Sequence, residues 1–302
     1  MKALVTDKTD SEGLGLLRQH VQVDEFVDWE DPKEIAARIA DYDILIVRSR
    51  TKVTSELISA AANLKIIGRP GTGLDNVDLE AAKARGIKVL NTPEATVPNV
   101  AEMTIGLALA LLRNISRADS SMKQGRWDKK LFRGNEIYAR KWGIVGLGRI
   151  GIAVAQRLKG FECEVLAYDP FISREKAESL GIRLLSLEEL VSGSDIISVH
   201  VPLTPDTKGL IGAKELASMK ESAIIINISR GGIVDEAALY DELRSGGIKG
   251  AALDVFESEP PESSPLLGLD NVVLTPHLGA QTFEAQKRMA RQLSEKIVAE
   301  LQ

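Results

Sequence analysis

Trp142-Gly-Ile-Val-Gly-Leu-Gly-Arg-Ile-Gly-Ile-Ala-Val-Ala155 runs from a short apolar strand pattern into a helix pattern. Gly146, Gly148 and Gly151 stand at the join in G-x-G-x-x-G spacing. In that context the first glycine permits a tight turn and the second lets the backbone approach a pyrophosphate. The third lets the helix pack close to its strand, and the helix N-terminus faces the phosphates. Arg149 and Ile150 open the helix, and Ile150, Val154 and Leu158 recur at four-residue spacing to give it a core face. A second apolar run, Glu164–Tyr168, ends in Asp169, 18 residues after the last glycine. A carboxylate there accepts from ribose hydroxyls and repels a 2′-phosphate, so the set predicts a Rossmann domain that binds NAD rather than NADP.

Short apolar runs alternate with helix patterns on both sides of this fingerprint. Before it, Ala3–Thr6, Ile44–Val47, Lys65–Ile67 and Lys88–Leu90 read as strands, and the stretches 11–19, 32–40, 55–62 and 79–85 read as helices. After it, strands are expected near 164–168, 195–199, 223–228, 249–253 and 272–274. Regular β–α alternation implies parallel, doubly wound sheets, here two of them. Between the two series, Val100–Leu112 is apolar on nearly every face and must be covered all round, either as a central core helix or at a subunit interface. The last helix pattern, Gln281–Leu301, is expected to return to the first series, which makes the N-terminal domain discontinuous.

The 302 residues suggest two domains, each able to bury a core. Lys+Arg 38 against Asp+Glu 43 gives a net charge of −5, so no basic field points to nucleic acid. The single Cys163 leaves no internal disulfide and makes a thiolate metal site implausible; no metal is expected. Met1 leads directly into strand-like KALVTD without a signal-peptide pattern, and the longest apolar stretch, Ile105–Leu112, is too short to span a bilayer. A cytoplasmic enzyme is the default expectation.

A proton donor near neutral pH is most often histidine, and there are only three. His20 lies at a surface-like helix end. His200 ends an apolar strand and is either a satisfied core group or part of a cofactor cleft. His277, in Thr275-Pro-His-Leu-Gly279, stands at the mouth of a predicted strand, where ligands sit in open α/β sheets. Arg230 follows a buried strand directly and is succeeded by two glycines; its planar fork suits a carboxylate or polarised carbonyl, unless it is a strand-end arginine in solvent. Glu259 follows the strand of Ala251–Phe256. Beside His277 it would favour the imidazolium and raise its pKa.

GLGRIG at 146–151, NISRGGIVDE at 227–236, DVFESEPP at 254–261 and TPHLGA at 275–280 occur in the order and spacing of the D-isomer-specific 2-hydroxyacid dehydrogenases, and the chain resembles that family along nearly its whole length. Within it, the resemblance is to the phosphoglycerate dehydrogenase branch. The resemblance implies a catalytic set of Arg230, Glu259 and His277. Arg230 would hold the substrate carboxylate and carbonyl. His277 would exchange the hydroxyl proton while hydride moves to or from nicotinamide, and Glu259 would orient and charge His277. It also implies cofactor contacts at Asp254 besides the fingerprint glycines, Arg149, Ile150 and Asp169. Arg48 and Arg69 follow two predicted N-terminal strands and supply the positive charge that a substrate bearing both carboxylate and phosphate requires, unless both are solvated. Gly71, Thr72 and Gly73 form a glycine-rich loop whose backbone N–H groups suit the carboxylate. The basic stretch Arg126–Arg133 resembles a family segment that approaches the neighbouring subunit's site; Lys129, Lys130 and Arg133 either add to a phosphate field or form a solvated charge run.

Two departures stand out. Pro70 replaces a usual alanine and removes a backbone donor, and Ala139-Arg-Lys-Trp142 replaces a glycine-lysine-threonine lead into the fingerprint strand. The chain stops at Gln302, so no serine-binding regulatory domain and no feedback through one are expected.

The expected fold is α/β: two doubly wound parallel-sheet domains, a Rossmann NAD domain (95–279) inserted into a flavodoxin-like substrate domain (1–94 and 280–302), hinged near 92–100 and 277–283 and closing over the substrate. The expected activity is reversible NAD-linked oxidation of D-3-phosphoglycerate, the entry to serine synthesis. The expected partners are a small phosphorylated 2-hydroxy or 2-oxo acid and a second copy of the chain in a homodimer with the 100–112 helix in the cofactor-domain interface, possibly a tetramer; no nucleic acid and no membrane are expected. The alternatives are a glyoxylate or hydroxypyruvate reductase and an NADH-sensing corepressor-like binding protein.

Overall fold

A computed structural model describes all residues, 1–302. Its contacts divide the chain into two units, Met1–Val97 with Ala280–Gln302, and Pro98–Gly279.

In the first unit, strands β1 (Lys2–Val5), β2 (Gln22–Glu25), β3 (Ile44–Ile46), β4 (Ile66–Arg69) and β5 (Lys88–Asn91) form an all-parallel sheet of order β2-β1-β3-β4-β5. That is the flavodoxin-like order. Strict alternation sends Leu4 and Leu45 into one core and Ala3, Val5, Ile44 and Ile46 into the other. Helices α1 (Pro32–Arg38), α2 (Ser55–Ala60) and α3 (Leu79–Ala84) serve the first of these cores, and the C-terminal helix Phe283–Leu301 serves the second through Leu293 and Ile297. The stretch 11–19 corrects the sequence reading: it forms two short 3-10 turns, Gly13–Gly15 and Leu17–Gln19, instead of an α-helix. Gly13 is wedged against the C-terminal helix, where an added Cβ would lie 2.5 Å from the Ala290 Cβ. Two glycines in so short a stretch also weaken any helix. Strand β2 and the short strand Arg183–Leu184 of the second unit had no counterpart in the sequence reading.

In the second unit, helices α4 (Val97–Leu112) and α5 (Ile115–Lys123) precede β6 (Lys141–Val145), α6 (Arg149–Leu158), β7 (Glu164–Tyr168), α7 (Arg174–Ser179), β8 (Arg183–Leu184), α8 (Leu187–Gly193) and β9 (Ile196–Val199). There follow α9 (Ala213–Ala217), β10 (Ile224–Asn227), α10 (Glu236–Ser245), β11 (Gly250–Leu253) and β12 (Val272–Leu274). The sheet order is β12-β11-β10-β9-β6-β7-β8, all parallel, and the order reverses at β6, between β9 and β7. Helix α4 buries Val100, Ala101, Thr104, Ile105, Leu107, Ala108 and Leu112 in its own chain, while Glu102 and Gly106 are exposed. The core reading of this helix therefore holds for most of its faces. No helix is long and apolar enough to cross a membrane, and no group of three or more His, Cys, Asp or Glu is arranged to hold a metal.

Candidate active site

The fingerprint loop takes the shape its glycines allow. Gly146 adopts φ 95°, and a Cβ there would meet Val201 Cγ1 at 2.6 Å. At Gly151 an added Cβ would lie 2.2 Å from the Gly146 carbonyl oxygen, so only glycine brings α6 this close to β6. Gly148 caps α6 and is exposed, with nothing within 4 Å of a Cβ position, which leaves space for a pyrophosphate. Arg149 is exposed and Ile150 half-buried in the first turn. Asp169, at the end of β7, accepts from the Leu147 N–H at 2.7 Å and the Phe171 N–H at 2.8 Å. Its carboxylate is thereby fixed beside the glycine loop. With Pro170 it is among the residues that line a cavity of about 940 Å³, others being Cys163, Val165, Ile172 and Leu184. An open cradle at a helix N-terminus with a held carboxylate beyond it fits a nicotinamide dinucleotide.

Arg230, Glu259 and His277 come from the loops after β10, β11 and β12. Asn227, Leu253 and Leu274 lie side by side in the register, so the three loops leave the sheet at one level. His277 Nδ1 lies 2.8 Å from Glu259 Oε2, and both side chains are partly exposed. Burial opposes ionisation of Glu259, but the hydrogen bond and charge of His277, the Phe256 N–H and the charge of Arg230 outweigh it and hold its pKa below the ordinary value. An ionised Glu259 accepts from Nδ1–H and leaves the other ring nitrogen, Nε2, outside this pair. Arg230 is anchored through its backbone, whose carbonyl accepts from Asn227 Nδ2 at 2.8 Å, and its Nη1 donates to the Ser229 carbonyl at 2.6 Å. The loops of Arg230 and Glu259 touch at Gly231, where a Cβ would fall 2.0 Å from the Phe256 carbonyl carbon.

His277 itself has φ 54°, left-handed backbone that a residue with a Cβ adopts at a cost. Its hold is Asp254, which is fully buried. The carboxylate accepts from Thr275 Oγ1 at 2.6 Å, the Leu278 N–H at 2.7 Å and the Gly279 N–H at 2.7 Å. The Asp254 carbonyl accepts from the His277 N–H at 2.9 Å. Asn99 of α4 donates to the Gly279 carbonyl from the other side. Asp254, expected as a cofactor contact, thus sits beneath the 275–279 loop. Asn227, Thr275 and Asn99 escaped the sequence reading. Asn227 and Thr275 stood there only as members of the quoted motifs 227–236 and 275–280, without a role.

The first unit carries the other candidates. Arg48 and Arg69 stand at the carboxyl ends of the neighbouring strands β3 and β4. The loop bearing Arg48 is clamped by Asp7, which accepts from the Arg48 N–H at 2.5 Å and the Thr51 N–H at 3.1 Å, and by Asn76 Nδ2, which donates to the Arg48 and Thr51 carbonyls. Burial lowers the Arg48 pKa, offset in part by Asp7. Arg69 Nη1 curls over its own loop to the Gly73 carbonyl, and the Gly71 N–H donates to Thr92 Oγ1 at 2.9 Å. Thr72 Oγ1 pairs with Thr96 Oγ1 at 2.8 Å. Lys129, Lys130 and Arg133 are exposed in the second unit, as are Trp127 and Leu131.

Residues 105–279 match the NAD binding domain family of the D-isomer specific 2-hydroxyacid dehydrogenases. A protein of Methanocaldococcus jannaschii named D-3-phosphoglycerate dehydrogenase is 48% identical over 298 residues, covering 98% of this chain and 57% of that protein. The chain spans little more than half the length of other relatives of that name as well. A hydroxypyruvate reductase of Thermotoga maritima is 46% identical over 300 residues, 98% of this chain and 97% of that one. A crystal structure of a Thermus thermophilus protein superposes with TM-score 0.92 at 36% identity, covering 100% of this chain and 97% of that one. The chain belongs to the D-isomer specific 2-hydroxyacid dehydrogenases and carries their NAD-binding domain.

Proposed function

We propose that this chain catalyses the reversible NAD-linked oxidation of D-3-phosphoglycerate to 3-phosphohydroxypyruvate, the first step of serine biosynthesis. The observation that carries the chemistry is the 2.8 Å contact between His277 Nδ1 and Glu259 Oε2 at the carboxyl end of a dinucleotide-binding sheet. When bound, nicotinamide supplies the hydride acceptor. His277 Nε2 takes the hydroxyl proton in oxidation and returns it in reduction. Glu259 orients the ring and balances the charge it gains, and Arg230 holds the carboxylate and the developing carbonyl. Asp254 is a positioning residue that holds His277 in its left-handed backbone. The fixed Asp169 carboxylate supports NAD over NADP through repulsion of a 2′-phosphate.

For the substrate, Arg48 and Arg69 at the ends of adjacent strands, with the 71–73 loop between β4 and α3, support an acid that also carries phosphate. The near-complete coverage of the Thermotoga maritima relative favours a second reading, reduction of unphosphorylated hydroxypyruvate or glyoxylate. Initial rates decide between them: NADH formation from D-3-phosphoglycerate against NADH consumption with 3-phosphohydroxypyruvate, hydroxypyruvate and glyoxylate. Preference for the phosphorylated pair, weakened by Arg69→Ala far more than glyoxylate turnover is, supports the first reading. Preference for the unphosphorylated acids refutes it. The exposed Trp127 and Leu131 beside α5 support a homodimer, which sedimentation velocity tests against monomer and tetramer.

A further inference from the structure

His200 is the titratable group that the proposed chemistry leaves unused. It follows β9 directly, at the point where the strand order reverses beside β6. Trp142 and Ile144 of β6 share a face of the sheet with Ser198 and His200, since Ile144 pairs with Ser198 and side chains alternate. Helix α6 covers that face, as the contact of a Gly151 Cβ position with Ile144 Cγ2 at 3.1 Å requires. His200 also borders the glycine loop: its N–H donates to the Val145 carbonyl at 2.7 Å, and a Cβ on Gly146 would lie 2.9 Å from its carbonyl. In such sheets a dinucleotide lies at this crevice.

A chain of hydrogen bonds fixes the ring. Trp142 Nε1 donates to Ser198 Oγ at 2.8 Å, and Ser198 Oγ lies 2.9 Å from His200 Nε2. Trp142 and Ser198 are fully buried. The indole N–H is a donor only, so Ser198 Oγ accepts from it. The serine's own proton then needs an acceptor, and a buried hydroxyl does not go without one. His200 Nε2 is the acceptor in reach, which puts the ring proton on Nδ1. Burial works to the same end, pushing the His200 pKa down to about 3, so the imidazole is neutral at physiological pH. Nε2 is turned back along the strand toward Ser198, and Nδ1–H is directed to the opposite side of the ring.

We infer that His200 is a further dinucleotide-binding residue: the Trp142–Ser198 chain locks it as a neutral Nδ1–H donor, which bonds an acceptor oxygen of the cofactor at the ends of β6 and β9. The inference rests on the NAD reading of the same unit. An uncharged donor of fixed tautomer serves NAD binding without a pH-dependent charge beside the phosphates.

The test is NADH titration by calorimetry on the whole chain, with three substitutions that separate the two ring nitrogens. His200→Asn keeps an N–H donor near the Nδ1 position, His200→Gln moves it to the Nε2 position, and His200→Ala removes it. Wild-type affinity for His200→Asn is expected, with about tenfold weaker binding for His200→Gln and His200→Ala, which is about 1.4 kcal/mol. In histidine-labelled wild type, 15N spectra are expected to show a pyrrole-type Nδ1 and a pyridine-type Nε2 on His200, unchanged between about pH 5 and about pH 8. Wild-type NADH affinity in His200→Ala, or a proton on Nε2 in the spectra, overturns the inference. Wild type that binds no NADH overturns the cofactor reading itself, and this inference with it.

Discussion

Asparagine at position 254 tests whether one buried carboxylate sets the geometry of His277. Asp254 Oδ1 accepts from Thr275 Oγ1 and the Leu278 N–H, and Oδ2 from the Gly279 N–H, all between 2.6 and 2.7 Å. The amide of Asp254→Asn has one oxygen. Placed at the Oδ1 position, it keeps two of the three donors at neutral strength, and its NH2 then meets the Gly279 N–H donor to donor. A hydrogen bond to a charged group contributes about 1.5–3 kcal/mol, roughly twice a neutral one. One such bond lost and two halved come to about 4 kcal/mol. For a domain the size of the second unit each kcal/mol moves Tm by about 2–4 °C, so the midpoint should fall by about 8–16 °C. The consequence for catalysis is separate from stability. His277 keeps its left-handed backbone only while the loop is held, so kcat should fall well below wild type at temperatures where the variant is still folded. Calorimetric melting and steady-state rates on the same preparation measure both. An unchanged Tm with an unchanged kcat would refute the assignment of Asp254 as the anchor.

Other substitutions probe other links. Ala139 has φ 55° in the lead-in to β6, where left-handed backbone costs an alanine about 1–2 kcal/mol. Ala139→Gly gives back about 0.4–1 kcal/mol to unfolded-chain entropy, so a net gain of about 0.5–1 kcal/mol is expected, seen as a higher Tm; a lower one would contradict the backbone assignment. Gly231→Ala drives a Cβ into the Phe256 backbone, which has no side-chain end to swing away. Loss of soluble, folded protein is expected by circular dichroism, and a normal melt would disprove the close approach. Glu259 has a folded-state pKa depressed below 4.5, so its ionised form contributes stability above the unfolded value that is lost as pH falls through the folded one. Glu259→Gln should therefore flatten part of the acid fall in Tm; a curve parallel to wild type below pH 4.5 would remove that contribution.

The sequence carried most of the strands because their residues alternate or run apolar, as Ala3-Leu4-Val5 and Ile224-Ile-Ile do, and both patterns report burial directly. The two strands it did not carry are edges. β2, Gln22-Val-Asp-Glu25, pairs only with β1, and β8 has two residues and pairs only with β7. An edge strand has half the hydrogen-bonded neighbours and little apolar signal. The stretch 11–19 misled for the opposite reason. It has apolar residues enough for a helix, but Gly13 is dictated by close packing on a helix some 280 residues later, which no local pattern announces. The candidate site divides in the same way. Gly146, Gly151, Asp169, Arg230, Glu259 and His277 stand in motifs whose spacing shows their place. The anchoring of His277 by Asp254 and Asn99 joins residues far apart in sequence and is visible only in three dimensions.

Parallel topology explains why the catalytic candidates are dispersed along the chain and yet converge. In a parallel sheet every loop at the carboxyl edge begins a new strand–helix unit, so residues meeting there must come from different units. Arg230, Glu259 and His277 follow β10, β11 and β12, which are consecutive in the sheet, and the register brings Asn227, Leu253 and Leu274 level. The three positions differ in support. The loops after β10 and β11 have a strand on either side and press on each other at Gly231. The loop after β12 leaves the edge of the sheet, whose strand residues are only half-buried, and has no strand on its outer side. It is also the loop that must hold a non-glycine residue at positive φ. A buried carboxylate from β11 with three charge-assisted bonds supplies what the missing neighbour cannot. The anchor belongs at the least supported of the three loops, and Asp254 is found there.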